Sequence, residues 1–372
     1  IGGLAISSER LAHLLSSAGH DVRVFAPTLS LPPSKKKTLP SNGVSVTRFG
    51  ANKRVDDTLV DWFEIISEEH KRDPFNVLQA YFLTQAGFVA TYAGKYLTIP
   101  SVVSIRGNDI ERAPFDPSKF SHVMYALQNA SAVTTNTTEL AMKAKAFIDR
   151  EIVLIPNGID NDCFKPMKKN TMLAESLNIF PAVENSRKGY PVIGFVGELR
   201  KKKGMASLLS AYAQTGKRQP SALLIVGEVR QGEDRSLLDE FQMTNTDSRI
   251  IVTGHIAHND LPAYYSLIDI FVHPSLRDGM PNAVLEAMAC EKAVIATPVG
   301  GIKDILQDGK NGIIVNVNDS AMLAEKIIEL LDDPKKRETL GKNARELITG
   351  KFTPEKELEE NLVVYKKLGL NI

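Results

Sequence analysis

The chain has 372 residues, 43% of them hydrophobic and 24% charged, which is long enough for two cored domains and unlike a disordered polymer. Lys and Arg number 45 against 44 Asp and Glu, so the clustered basic excess of a general nucleic-acid binder is excluded. Cys163 and Cys290 stand far apart without metal-ligand spacing, and no apolar run reaches the roughly 18 residues of a membrane span; a cytoplasmic, reducing location is expected.

From the start, Gly2 and Gly3 mark a turn, and Ser7 or Ser8 is placed to cap a helix with the apolar stripe Leu11, Leu14, Leu15 and Ala18. Gly19 stops that helix before a strand around Val22, Val24 and Phe25. The basic runs 35–37 and 168–169 read as solvated loops. Further strands are predicted at 44–49, 75–79, 102–105, 132–135 and 152–155, separated by helical patterns such as 84–97 and 138–147. This alternation predicts a mostly parallel sheet with helices on both faces.

Beyond Pro156-Asn157-Gly158-Ile159-Asp160, whose Asn-Gly pair is a turn signal, a polar passage runs to Gly189 and the pattern restarts. Strands are predicted at 192–196, 222–226, 250–252, 268–272, 293–296 and 312–315. Past Pro334 the chain reads as helical, with a last helix to about Leu368. The expected class is therefore α/β, with two Rossmann-like domains over 1–165 and 166–350 and a terminal helical segment over 351–372.

Three segments carry chemistry. Gly197-Glu198-Leu199-Arg200-Lys201-Lys202-Lys203-Gly204 follows a strand with a glycine turn, cations and a helix, a loop able to hold a diphosphate. It is no Walker A loop, because no Ser or Thr follows the lysine, and no Gly-x-Gly-x-x-Gly supports nicotinamide or flavin binding. His273-Pro-Ser-Leu-Arg-Asp278-Gly279-Met280-Pro281-Asn282 then leads into a helix that carries Glu286, with seven residues between the two carboxylates. That helix start is a bed for a phosphorylated ligand, although the pair also reads as a capping Asp and a surface Glu. The third segment, Ser104-Ile-Arg106-Gly107-Asn108-Asp109, ends a strand; Asp109 either orients a ligand hydroxyl or closes the turn. His255, His258 and His273 lack the spacing of a zinc site, and Asp160-Asn161-Asp162 reads as turn chemistry, so no metal is expected.

The block from Asp278 to Gly301 resembles the C-terminal signature of the family 4 retaining glycosyltransferases of the GT-B class, Glu-x7-Glu-Ala, matching at Glu286 and departing at Asp278. Lys203 and Gly204 resemble the family's Gly-Arg-Leu-x-x-x-Lys-Gly motif, while Glu198 reverses the charge of its Arg and Arg200 stands two residues along as a substitute cation. Arg106 replaces the His of the family's His-Gly-x-Asp, and residues 156–160 resemble its interdomain segment. The resemblance also places an apolar strand ahead of the Gly2-Gly3 turn, and a terminal helix that crosses back to the N-terminal domain.

What the resemblance implies is a metal-independent retaining transfer from a nucleotide-diphosphate sugar to a hydroxyl acceptor, whether glycan, lipid or small molecule, with no cofactor besides the co-substrate. Asp278, Lys203 and Arg200 would act at the reacting centre. Glu286 would bind the ribose, with Gly197, Gly204, His255, Gly279, Met280, Pro281 and Asn282 around the donor. Gly2, Gly3, Arg106 and Asp109 would line the acceptor side. Asp278 in place of Glu draws the carboxyl back by about 1.5 Å, one C–C bond. Contact with a membrane surface stays open, as do three rivals: a GT-B epimerase or phosphorylase, a non-catalytic nucleotide-sugar-binding relative, and an oxidoreductase.

Overall fold

The structure is a computed structural model and describes residues 3–179 and 190–371; Gly2 lies outside them. Its two compact units are Ile1–Gly158 with Pro354–Ile372, and Ile159–Thr353. The boundary expected at 165 thus falls earlier. Ile159 donates its N–H to the Phe352 carbonyl at 2.8 Å, and Ile159 and Phe164 are buried in the core of the second unit. Residues 354–372 are part of the first unit rather than a separate segment from 351.

In the first unit the strands are β1 (Arg23–Pro33), β2 (Lys36–Ser41), β3 (Val44–Gly50), β4 (Leu78–Tyr81), β5 (Ser101–Ile105), β6 (Ala132–Thr135) and β7 (Val153–Leu154). One sheet was expected, but two form, in the orders β1-β3-β2 and β4-β5-β6-β7. A cavity of about 1340 Å³ is lined by residues of both β1 and β4, among others, with apolar side chains such as Leu11, Phe25 and Leu78 and charged ones such as Arg23 and Asp73. The second sheet is all parallel, and its central β5 is buried at every position, Ser101 and Ser104 included, as a strand covered on both faces is.

Two local readings change. The run 35–37 leads into the antiparallel edge strand β2, where Lys36 and Lys37 stay exposed and Thr38 meets Thr47 across the ladder at 2.8 Å. Lysines suit an edge, because they oppose pairing with another chain. The first helix, Gly3–Ser17, starts before Ser7 and Ser8, so neither caps it; Ser8 Oγ donates back to the Ala5 carbonyl at 3.0 Å.

The terminal helix Pro354–Lys367 returns to the first unit and packs on Gly3–Ser17. Arg10 Nε donates to Glu357 Oε2 at 2.7 Å, and the Gly158 N–H donates to the same oxygen at 2.9 Å. Further along, Val364 and Tyr365 are buried against Val102 and Ile155.

The second unit holds β8 (Val192–Val196), β9 (Ala222–Val226), β10 (Arg249–Val252), β11 (Ile270–His273), β12 (Ala293–Ala296) and β13 (Ile313–Ile314). They form one six-stranded parallel sheet in the order β10-β9-β8-β11-β12-β13. The strand order reverses between β8 and β11, and the loops leaving their carboxyl ends are therefore neighbours at a topological switch point. Among the described residues no helix is long and apolar enough to cross a membrane.

Because Glu357 is almost fully buried and partners both Arg10 and a backbone N–H, Glu357→Ala should lower unfolding stability by about 3 kcal/mol. Urea unfolding of the intact chain measures this. A midpoint equal to that of the wild type would contradict the anchoring role.

Candidate active site

After β8, Gly197 turns the chain with φ +125°, and the loop pairs with the one after β9: Leu199 N–H donates to the Glu228 carbonyl at 2.8 Å, and Arg230 N–H to Leu199 at 3.1 Å. A Cβ at Gly227 would stand 2.3 Å from the Gly197 carbonyl oxygen. Gly227 was missed from sequence, yet a signal exists, since Val226-Gly227-Glu228 repeats Val196-Gly197-Glu198. Lys201–Lys203 then form one 3-10 turn closed by Gly204 at φ +76°. A Cβ on Gly204 would lie 1.8 Å from the Pro274 carbonyl oxygen, so only glycine lets the β8 loop touch the β11 loop.

That contact brings Lys203 Nζ onto Asp278 Oδ2. His273 Nε2 approaches the same oxygen at 2.9 Å, Ser275 Oγ lies 3.1 Å from that nitrogen, and the Gly279 N–H donates to Asp278 Oδ1 at 3.0 Å. His273 is 1% exposed and stacks between Phe195 and Phe271. Burial lowers its pKa against the pull of Asp278, so the ring is neutral at pH 7. With Nε2–H donating to Asp278, the buried Nδ1 has no partner. Burial alone would raise the Asp278 pKa; the His273 hydrogen bond and the Lys203 charge outweigh it and hold the carboxyl well below the usual carboxylate range.

The loop is braced from behind. A Cβ on Gly300 would come within 2.3 Å of the Asp278 and Gly279 carbonyl oxygens, and the Gly301 N–H donates to Gly279 at 2.8 Å. Met280 and Pro281 are buried, and Pro281 sets the extended start of the helix Asn282–Ala289.

Glu286 is buried within that helix rather than a wet surface residue. Its Oε2 accepts from the Tyr265 hydroxyl at 2.9 Å, and its Oε1 lies 3.0 Å from His258 Nε2. Both partners were missed as site residues. His258 had been weighed only as a metal ligand, and Tyr265 sits in an apolar helix that reads as core.

The remaining candidates separate. Arg200 pairs with Glu198 at 3.0 Å, so the reversed charge of the motif is neutralised locally. His255 is exposed beside Gly254, which has φ +72°. In the first unit Gly3 opens the first helix. Asp109 is buried, and its carboxylate accepts from the N–H groups of Leu83, Arg106 and Gly107 at 2.8–3.3 Å; burial raises its pKa to about 6 despite those bonds. It closes the turn that presents Arg106. Among the described residues no group of three His, Cys, Asp or Glu is placed to hold a metal ion.

Two family descriptions match this arrangement: Glycosyltransferase Family 4 over residues 1–162 and Glycosyl transferases group 1 over residues 178–347. The chain belongs to the family 4 glycosyltransferases of the GT-B class. Among the relatives of this glycosyltransferase, the N-acetyl-alpha-D-glucosaminyl L-malate synthase of Bacillus anthracis is 22% identical, over 98% of this chain and 94% of that one. Sucrose-phosphate synthase from Thermosynechococcus elongatus shares the fold with a TM-score of 0.80 at 23% identity, covering 99% of this chain and 94% of that one. Anabaena HepE, solved in complex with UDP, gives 0.80 at 20% identity, covering 98% and 96%.

Asp278 supplies a pH test for the glycosyltransferase. Its folded pKa lies below the unfolded value near 4, so the stability it contributes is present above that value and is lost as pH falls through the folded pKa. Asp278→Asn should therefore be less stable than the wild type at pH 7, and the gap should narrow below about pH 4. A gap independent of pH in thermal unfolding would contradict the assignment.

Proposed function

We propose that this glycosyltransferase is a retaining enzyme, transferring a sugar from a nucleotide-diphosphate donor to a hydroxyl acceptor. The observation that carries the reading is the meeting of Lys203 with an ionised Asp278 at the strand-order reversal, beside the start of the helix that bears Glu286. HepE, whose structures hold UDP, UDP with glucose, and UDP-glucose, supports a nucleotide-sugar donor.

In this reading the bond between the anomeric carbon and the diphosphate oxygen breaks, and its electron pair leaves with the diphosphate. The acceptor hydroxyl attacks from the same face and passes its proton to the departing phosphate. Lys203, with three N–H donors, can hold Asp278 and a phosphate oxygen together, and Arg200 joins it once the diphosphate displaces Glu198 from its guanidinium. Charge that develops on the leaving group is thus met by a cation already fixed in place.

Asp278 takes a hydroxyl of the donor sugar. Each Glu286 oxygen has one donor in Tyr265 or His258 and keeps a second lone pair, so the carboxylate accepts from the two ribose hydroxyls. His255 and the segment from Gly279 to Asn282 complete the donor side, with Gly197 and Gly204 shaping the loop. Arg106 and the turn closed by Asp109 are the residues this reading assigns to the acceptor. No resident cofactor or metal is assigned, and the free Cys163 and Cys290 fit a reducing cytoplasm.

One observation favours a binding-only relative instead: Glu198 occupies Arg200, the second cation of the loop. Such a protein would bind nucleotide without turnover.

A panel of UDP-, GDP- and ADP-sugars separates these readings. The enzyme reading expects nucleoside diphosphate release from at least one donor when acceptors are supplied; binding without release supports the alternative, and no binding at all overturns both. On the donor that binds, Glu286→Gln should raise the Kd by about tenfold, the loss of one charge-assisted pair of hydrogen bonds. An unchanged Kd by calorimetry would remove Glu286 from the donor site.

A further inference from the structure

We infer that Glu198 is a carboxylate shared between two arginines, and that an entering anion moves it from Arg200 to Arg230, so that Arg230 positions the diphosphate site without touching the ligand. The identity of the anion as a donor diphosphate rests on the transferase reading, whereas the exchange rests on the second unit alone.

The loops that leave β8 and β9 repeat each other: Val196-Gly197-Glu198-Leu199-Arg200 and Val226-Gly227-Glu228-Val229-Arg230 differ only at Leu199 and Val229. Those two residues bridge in parallel and are buried, so the alternation of an extended chain turns the flanking Glu198, Arg200 and Arg230 away from the core. Glu198 therefore meets both arginines. Its Oε2 lies 3.0 Å from Arg200 Nη1 in its own loop, and its Oε1 lies 3.7 Å from Arg230 Nε in the neighbouring one. The second contact is near enough for attraction and too long for a hydrogen bond.

Arg200 is the cation an anion would compete for. It opens the single turn Lys201–Lys203, and at the other end of that turn Lys203 is already set against Asp278. Its Nη1 faces Glu198, while its buried Nε has no partner. An anion held by both Lys203 and Arg200 must draw Arg200 off Glu198, and a carboxylate left unpaired would oppose that step. Arg230 removes the obstacle. Its side chain is 56% exposed and makes no other ion pair among the described residues, so it can close the 3.7 Å gap as Arg200 turns away. The empty loop keeps its charge covered, and the exchange uncovers Arg200 only when an anion replaces Glu198.

Inorganic pyrophosphate, titrated calorimetrically into the intact chain at fixed ionic strength, tests the exchange without any base or sugar. Glu198→Gln should tighten binding by at least about threefold, the scale of one partly exposed ion pair that no longer has to be broken. In the Arg200→Gln background, where binding is weaker, the same substitution should change little. A gain of equal size in both backgrounds would be a general charge effect and would overturn the inference. Arg230→Gln should weaken pyrophosphate by about threefold when Glu198 is present and leave it unchanged in the Glu198→Gln chain. A loss in both would make Arg230 a direct contact of the anion, which contradicts the exchange.

Melting temperatures check that each variant folds. No pyrophosphate binding by either the wild type or Glu198→Gln also overturns the inference. In the proposed transfer Glu198 returns to Arg200 as the nucleoside diphosphate leaves, so Glu198→Gln should lower the inhibition constant of that product by a factor like the one seen with pyrophosphate. The pyrophosphate pattern in a chain that turns over no nucleotide sugar would uphold the exchange and reject the transferase reading. Turnover with additive variants would do the reverse.

Discussion

The ion pair between Lys203 and Asp278, with His273 on the same carboxylate oxygen, organises the second unit's candidate site. It joins two loops that are distant in sequence and adjacent only because β8 lies beside β11 in the sheet. Both side chains are less than one-fifth exposed, so the charges act through less solvent than surface ions do. Two glycines make the approach possible: Gly204, whose missing Cβ leaves room for Pro274, and Gly300, whose missing Cβ leaves room for the Asp278 and Gly279 carbonyls. The electrostatics therefore rest on backbone packing, and the packing rests on residues without side chains.

A neutral, buried His273 explains why the carboxylate is held in one orientation rather than swinging with Lys203. The ring is stacked on both sides and its proton has one acceptor in reach besides the serine hydroxyl. Glu286 is fixed in the same manner by Tyr265 and His258, each approaching a different oxygen. Both acidic groups are thus positioned before any ligand arrives, which lowers the reorganisation a transition state would demand. The first unit shows the contrasting case. Arg10 Nε pairs with Glu357 and fastens the terminal helix, while Arg106 is held by Asn157 and leaves its buried Nε without a partner.

Much of this was legible in the sequence where one principle governs. The strands 192–196, 222–226 and 293–296 are uninterrupted apolar runs, and they fold at those positions because buried parallel strands require them. The Asp278, Glu286 and Lys203-Gly204 positions followed from spacing and resemblance. What the sequence hid depends on tertiary contact. The edge strand β2 has no alternating pattern, and its ladder with β3 supplies the stability that Lys36 and Lys37 do not. Ser7 and Ser8 look like caps until the helix extends past them to Gly3. His258 and Tyr265 carry no motif; only the fold brings them to Glu286. The domain boundary moved for the same reason, since the link from Ile159 to Phe352 spans most of a domain in sequence.

The coupling between Lys203 and Asp278 is the claim on which the site depends, and a double-mutant cycle measures it. Lys203→Met, Asp278→Asn and the double variant are unfolded in urea at pH 7 beside the wild type. The geometry predicts non-additive losses with an interaction energy of at least about 1.5 kcal/mol, the double variant being little worse than the poorer single one. Losses that add within about 0.5 kcal/mol would mean that the two loops are not electrostatically joined.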